Sequence, residues 1–252
     1  MIIGAQMFTV RDFTKNLNDF EETLKKIADI GYTDVQVSGT CPYEPEWLAE
    51  QLKKNGLTCS ITHSYGMDRI LQDPQAVIHA YDTFHCKYVG IGGIQGGIEN
   101  YFLFREELRQ AAQTLKAAGK LLMIHNHHRE FERFGLDNRT YLDQILEDFL
   151  PDEAGITFDA YWAQVAGANP SAWLRKMSGR VPCIHFKDMQ IVHGEQKMAA
   201  IGDGNMDVSG IIDAAIAAGT EHFLVEQDNC NGIDPFICLK RSYQCLTSYG
   251  LK

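Results

Sequence analysis

Eight short β-prone runs, each followed by a longer stretch with apolar residues at helical spacing, succeed one another along this chain. The strand candidates are Ile3–Phe8, Asp34–Val37, Leu57–His63, Lys87–Ile91, Lys120–His127, Ile156–Asp159, Cys183–Lys187 and Phe223–Glu226. The helix candidates between and after them are Leu17–Ile30, Glu46–Asn55, Pro74–Phe84, Tyr101–Ala118, Arg139–Phe149, Pro170–Met177, Val208–Ala218 and Pro235–Tyr249. In the first helix the apolar side chains fall at 17, 20, 24, 27 and 30, and Gly31 ends the run. Such regular alternation predicts a parallel sheet, because each helix carries the chain back to start the next strand in the same direction. At 252 residues the arrangement reads as one closed (β/α)8 TIM barrel, a single domain over 1–252. An open doubly wound sheet would want a glycine-rich phosphate turn after its first strand, and Phe8-Thr-Val-Arg11 is not one. The connection from Met189 to Asn205 reads as a long polar loop.

Four of the later strands share a second feature. Leu121-Leu-Met-Ile-His-Asn-His-His-Arg-Glu-Phe131 turns from apolar residues to three histidines and a glutamate. The runs ending at Asp159, at His185 with Lys187, and at Glu226 with Asp228 close on ionisable residues in the same way. A strand covered on both faces does not need a polar ending, so the endings call for chemistry. Parallel strands would bring Glu130, Asp159, His185 and Glu226 to one buried point. Three carboxylates and an imidazole there repel or lose their charges unless a cation holds them. Oxygen donors with one nitrogen favour Mn²⁺ or Mg²⁺, with Co²⁺ or Zn²⁺ also compatible. Alternation along each strand turns Gln6, Gln36, Ser38, His63, His125, His127, Thr157 and Lys187 inward with these groups.

Composition narrows the partners. A net charge of −10 and a pI near 5.3, with no basic run, speak against nucleic acid and against an acidic membrane surface. The seven cysteines include no C-x-x-C pair and read as reduced thiols of a cytoplasmic protein. Met1–Gln6 carries no basic leader, and no apolar run approaches the roughly 20 residues of a membrane span.

The stretches Gly4-Ala-Gln-Met-Phe-Thr-Val-Arg11, Gly31-Tyr-Thr-Asp-Val-Gln-Val-Ser-Gly39, His125-Asn-His-His-Arg-Glu-Phe131, Asp159-Ala-Tyr-Trp162, His185-Phe-Lys-Asp188, Gly202-Asp-Gly-Asn-Met-Asp207 and Val225-Glu-Gln-Asp228 together resemble the sugar phosphate isomerase/epimerase family of xylose-isomerase-like barrels. The resemblance extends over essentially the whole chain. It implies one divalent metal held by Glu130, Asp159, His185 and Glu226, and proton movement beside a carbonyl through an enediolate. It also implies His127 as proton carrier, Lys187 as the group that polarises an oxygen, and acid or base duty for Glu130 and Glu226. A three-zinc endonuclease shares the fold, but here Trp162 stands where that enzyme needs a histidine, and Gly92-Gly93 offers no ligand.

Substrate contacts are expected from Gln6, Gln36, His63, His125, Trp162 and Arg11, with Phe8, Tyr65 and Tyr161 as further aromatic walls. The loop Gly202–Asp207 can offer backbone N–H groups to a phosphate but holds no Lys or Arg. Arg11 and Arg129 are the nearest clamps, so a non-phosphorylated monosaccharide or keto-sugar is the expected substrate. Isomerisation or epimerisation is the leading expectation. A lyase or dehydratase working through the same enediolate, or a non-catalytic sugar-binding subunit, are the alternatives, and a homodimer is expected by analogy with related barrels.

Overall fold

The structure is a computed structural model describing residues 1–252. Eight parallel strands close into a barrel: β1 (Ile2–Gln6), β2 (Asp34–Val37), β3 (Thr58–Thr62), β4 (Tyr88–Ile91), β5 (Leu121–His125), β6 (Ala154–Asp159), β7 (Cys183–Phe186) and β8 (His222–Val225). Each strand pairs with its neighbour in sequence, and β1 pairs with β8 to complete the ring. The outer layer consists of α1 (Leu17–Ile30), α2 (Pro45–Asn55), α3 (Met67–Gln72), α4 (Pro74–Thr83), α5 (Tyr101–Ala117), α6 (Tyr141–Asp148), α7 (Ala160–Val165), α8 (Pro170–Lys176), α9 (Val208–Ala217) and α10 (Pro235–Ser248). No helix is long and apolar enough to cross a membrane.

Local chemistry accounts for the helices that were foreseen. Asn16 caps α1 by accepting the Asp19 N–H, and Phe20, Leu24 and Ile27 bury one face against the sheet. Thr140 and Asp143 cap α6 reciprocally, which moves its start past Arg139. Three features escape the periodicity because they are too short to show one. The helices α3 and α7 have six residues each, and Arg133–Phe134 pairs with Arg139–Thr140 in a small hairpin. The connection after β7, expected as loop, contains an antiparallel hairpin of Asp188–Val192 with Glu195–Ala199.

Alternation puts two different cores on the two faces of the sheet. Outward residues such as Ile124, Phe158, Phe186 and Val225 join the large cluster beneath the helices. Inward residues Ile61, Tyr88, Met123, Cys183 and Leu224 fill the barrel below its mouth. Filling so narrow a space requires small residues opposite large ones. A Cβ at Gly90 would lie 2.4 Å from Cδ2 of His63, so the absent side chain is what gives that imidazole its seat. The interior is thus plugged from below; a small polar group around Asp34, Ser60 and His222 closes the amino ends of the strands, and the larger polar set gathers at the carboxyl ends.

Candidate metal centre

Each central side chain occupies the last inward position of its strand or the next one beyond it. His125 ends β5 and Asp159 ends β6. His185 lies inside β7 opposite Asp159, and Glu226 follows β8 directly. His125, Asp159, His185 and Glu226 each offer one ligand atom, and those atoms all lie within 4.8 Å of one another. All four are buried.

The hydrogen bonds around them show what is missing at their centre. Nε2 of His185 faces the amide oxygen of Gln36 at 2.6 Å, so that nitrogen carries the proton. Its Nδ1 lone pair then points at Oε2 of Glu226, 3.0 Å away, and lies 3.8 Å from Oδ2 of Asp159. Although close, Nδ1 of His185 and Oε2 of Glu226 are not aligned for a hydrogen bond, and both atoms are buried without one. His125 places Nε2 3.3 Å from Oδ2 of Asp159 and Nδ1 3.5 Å from the Gly92 carbonyl. Lone pairs that converge beside a single ammonium, that of Lys187, and leave Nδ1 of His185 without a partner are what a further cation satisfies. The donor set therefore fits a divalent metal.

Charge leads to the same conclusion. Nζ of Lys187 lies 3.0 Å from Asp159, 2.9 Å from Glu226 and 2.9 Å from Asp228. Three carboxylates against one ammonium leave two negative charges, which one divalent cation would neutralise. Burial by itself lowers the Lys187 pKa, but Asp159, Glu226 and Asp228 reverse this and hold it raised. Burial likewise pushes Glu226 up, and the Lys187 ammonium outweighs it, so this carboxyl stays well below its ordinary value.

Burial, then the neighbouring His185, pushes His63 down to about 3; the same two causes hold His125 well below its ordinary value. Both imidazoles are therefore neutral in the folded protein. Because their folded pKa values are depressed, their contribution to stability is complete above the unfolded value near 6.5. It is lost as pH falls, since only the unfolded chain takes up the protons. Metal-free protein should lose about 2 kcal/mol from His63 between pH 7 and pH 5, with a further loss in the same direction from His125. Urea denaturation in chelator at the two pH values measures this, and an unchanged midpoint would mean that the two rings are solvated.

Several expected roles move. Glu130 is outside the cluster: it lies in the 3-10 turn Arg129–Phe131 after β5, and its Oε2 accepts the His127 N–H at 2.6 Å. His125, five residues earlier and still on the strand, occupies the position expected for it. Gln6 lines the mouth but spends its amide nitrogen on Oε1 of Glu226 at 2.7 Å, and Gln36, which accepts from His185 and leaves its Nε2 buried without a partner, does not line it. Arg11 donates to the carbonyls of Phe8 and Asp228 and packs over the Phe8 ring, so it clamps backbone, and it does not line the mouth. Arg129 pairs with Glu99 and Glu132 at the surface. In the loop Gly202–Asp207, the N–H groups of Gly202, Gly204 and Met206 all donate to the Asp188 carboxylate, which occupies the place a phosphate would take. Tyr161 is buried, its hydroxyl bonded to Gln196.

The expected mouth is present as a cavity of about 640 Å³. Phe8, Tyr65 and Trp162 supply its aromatic walls, and His63, His127, Lys187 and Asp228 its polar ones. His127 stands edge-on to His125 with ring centroids 4.6 Å apart and 5.9 Å from Trp162. A hollow of similar volume outside the barrel, against Gln75, Gln110 and Gln113, contains no titratable side chain.

Comparison with known proteins agrees with this architecture. The family model described as xylose isomerase-like TIM barrel matches residues 24–235. An inosose dehydratase of Mesomycoplasma hyopneumoniae is 23% identical over 196 residues, 68% of this chain and 63% of that protein's length. The inosose dehydratase of Salmonella typhimurium is 22% identical over 236 residues, covering 77% of this chain and 76% of its own. Among solved structures, a sugar phosphate isomerase/epimerase from Parabacteroides distasonis superposes with a TM-score of 0.77 at 20% identity, over 98% of this chain and 93% of that one. An L-ribulose 3-epimerase gives 0.73 at 18% identity over 99% and 94%. The IOLI protein, solved with a zinc atom, gives 0.72 at 12% identity over 98% and 97%. At such identities these structural likenesses establish the fold.

Proposed function

The chain belongs to the xylose isomerase-like TIM barrel family, and from that premise we propose a metal-dependent isomerase or epimerase of an uncharged monosaccharide or keto-sugar. The observation that supports this most is the convergence of ligand atoms from His125, Asp159, His185 and Glu226 at the floor of the mouth, with Nδ1 of His185 and Oε2 of Glu226 left without a hydrogen bond. Those four side chains would hold the ion. Two imidazoles and two carboxylates form a softer set than the one with Glu130, so Mn²⁺, Co²⁺ and Zn²⁺ fit it better than Mg²⁺. When bound, such an ion supplies a Lewis acid that withdraws charge from neighbouring substrate oxygens.

The remaining steps fall to side chains. His127 lines the cavity beside the cluster and is placed to take a proton from a carbon next to the substrate carbonyl and return it. Lys187 has three N–H groups and three carboxylates around it. We therefore assign it to holding Asp159, Glu226 and Asp228 together, and not to a substrate oxygen. Phe8, Tyr65 and Trp162 offer apolar faces to the C–H side of a sugar ring and exclude water. The only Lys or Arg lining the cavity is Lys187, which three carboxylates engage, and the amides of the Gly202–Asp207 loop already bind Asp188. This favours a neutral substrate.

Two relatives named inosose dehydratase favour a second reading, in which loss of the same proton is followed by departure of a β-hydroxyl. One experiment separates the two. Protein loaded with Mn²⁺, Co²⁺ or Zn²⁺ is incubated in deuterium oxide with a panel of aldoses, ketoses and cyclic keto-polyols. An isomerase or epimerase returns a deuterated isomer of equal composition, whereas a dehydratase returns a product lacking one water. Neither exchange nor water loss across the panel, with metal bound, would overturn both readings.

A further inference from the structure

We infer that Gln36 and Gln6 are positioning residues of the metal centre: Gln36 keeps the Nδ1 lone pair of His185 turned toward the ion, and Gln6 keeps Oε2 of Glu226 turned the same way. The inference rests on the metal-site reading above. Both glutamines sit at inward strand positions beneath the cluster, on β1 and β2, and both are buried. A buried amide without partners is costly, and Gln36 leaves its Nε2 unpartnered, so the use of each amide lies in the one contact it makes to the cluster.

For Gln6 the orientation is determined from outside the site. Its Oε1 accepts the Phe8 N–H at 2.7 Å, which leaves only Nε2 to meet Glu226, and it donates to Oε1 there at 2.7 Å. With that oxygen occupied, Oε2 is the one free to face His185 and Lys187. Gln36 is fully buried and does not line the cavity, so it can reach a substrate only through His185. An acceptor on Nε2 selects the tautomer whose other nitrogen is unprotonated, the form a metal needs. Partners of this kind usually change metal affinity by roughly 10- to 100-fold when removed.

The test replaces Gln36 by Met, which fills the space without an acceptor, and by Glu, which keeps an acceptor and lacks a donor. Affinity for Mn²⁺ and Zn²⁺ is measured by chelator competition, and the melting of each metal-free form reports whether it folds. The Met variant is expected to bind about 10- to 100-fold more weakly and the Glu variant as tightly as the parent or tighter. Gln6→Leu should weaken binding over the same range. Gln36→Ala serves for Gln36→Met if the latter does not fold. Equal affinity in the Met variant and the parent would overturn the inference. So would equal losses in the Met and Glu variants, because the amide would then be acting as a donor. If the parent protein binds neither ion, the metal-site reading itself fails, which is a different result from either of these.

Discussion

Asp159→Asn is expected to reduce metal affinity at least 100-fold and turnover roughly 10³-fold or more, since several kcal/mol of charge stabilisation depend on the ion. The substitution is nearly isosteric. Oδ1 of Asp159 caps α7 by accepting the Trp162 N–H at 3.0 Å, and an asparagine oxygen can do the same. The change acts on Oδ2, which faces His125 at 3.3 Å and Lys187 at 3.0 Å. There a negative oxygen becomes an N–H₂ group that can neither bind a cation nor accept from the ammonium. Melting of the metal-free variant, metal titration and the deuterium assay report on the three parts. A variant that folds, fails to bind metal and still exchanges substrate hydrogen at the parent rate would show that the cluster is not the catalytic centre.

His127→Ala is expected to lower turnover by roughly 10²- to 10⁴-fold, the usual range for a group that transfers a proton, while metal binding is retained. The separation of the two effects follows from geometry. The His127 ring lines the cavity, whereas its link to the structure below runs through its backbone N–H to Glu130, which alanine preserves. None of the four clustered side chains hydrogen-bonds the imidazole; only His125 packs against it, edge-on. Unchanged exchange in the alanine variant would move the proton transfer to another group, with Glu226 the next to test. Loss of metal together with activity would instead mark His127 as part of the support.

The barrel was legible because its signal is local and repeated. Each strand and each long helix announces itself through spacing, and the family motifs extend the same reading over the whole chain. Asp159, His185 and Glu226 were legible for a related reason: a strand end bearing an ionisable residue is a local feature, and parallel strands align their ends. His125 and Glu130 show where that reasoning stops. Both lie near the end of β5, and choosing between them depends on where the chain leaves the strand, which a 3-10 turn decides. Asp188 is a second case, since no local pattern foretells that its carboxylate gathers amides 14 to 18 residues away.

By itself, then, the sequence determined the eightfold alternation, the closed parallel barrel it requires, and the set of polar side chains that gathers at one mouth. Only the tertiary structure decided which of them face each other. The pairing of Gln36 with His185 spans 149 residues and that of Gln6 with Glu226 spans 220. Contacts of that range exist only once β8 has closed against β1, and their partners are set by strand register and side-chain rotation that no local pattern encodes.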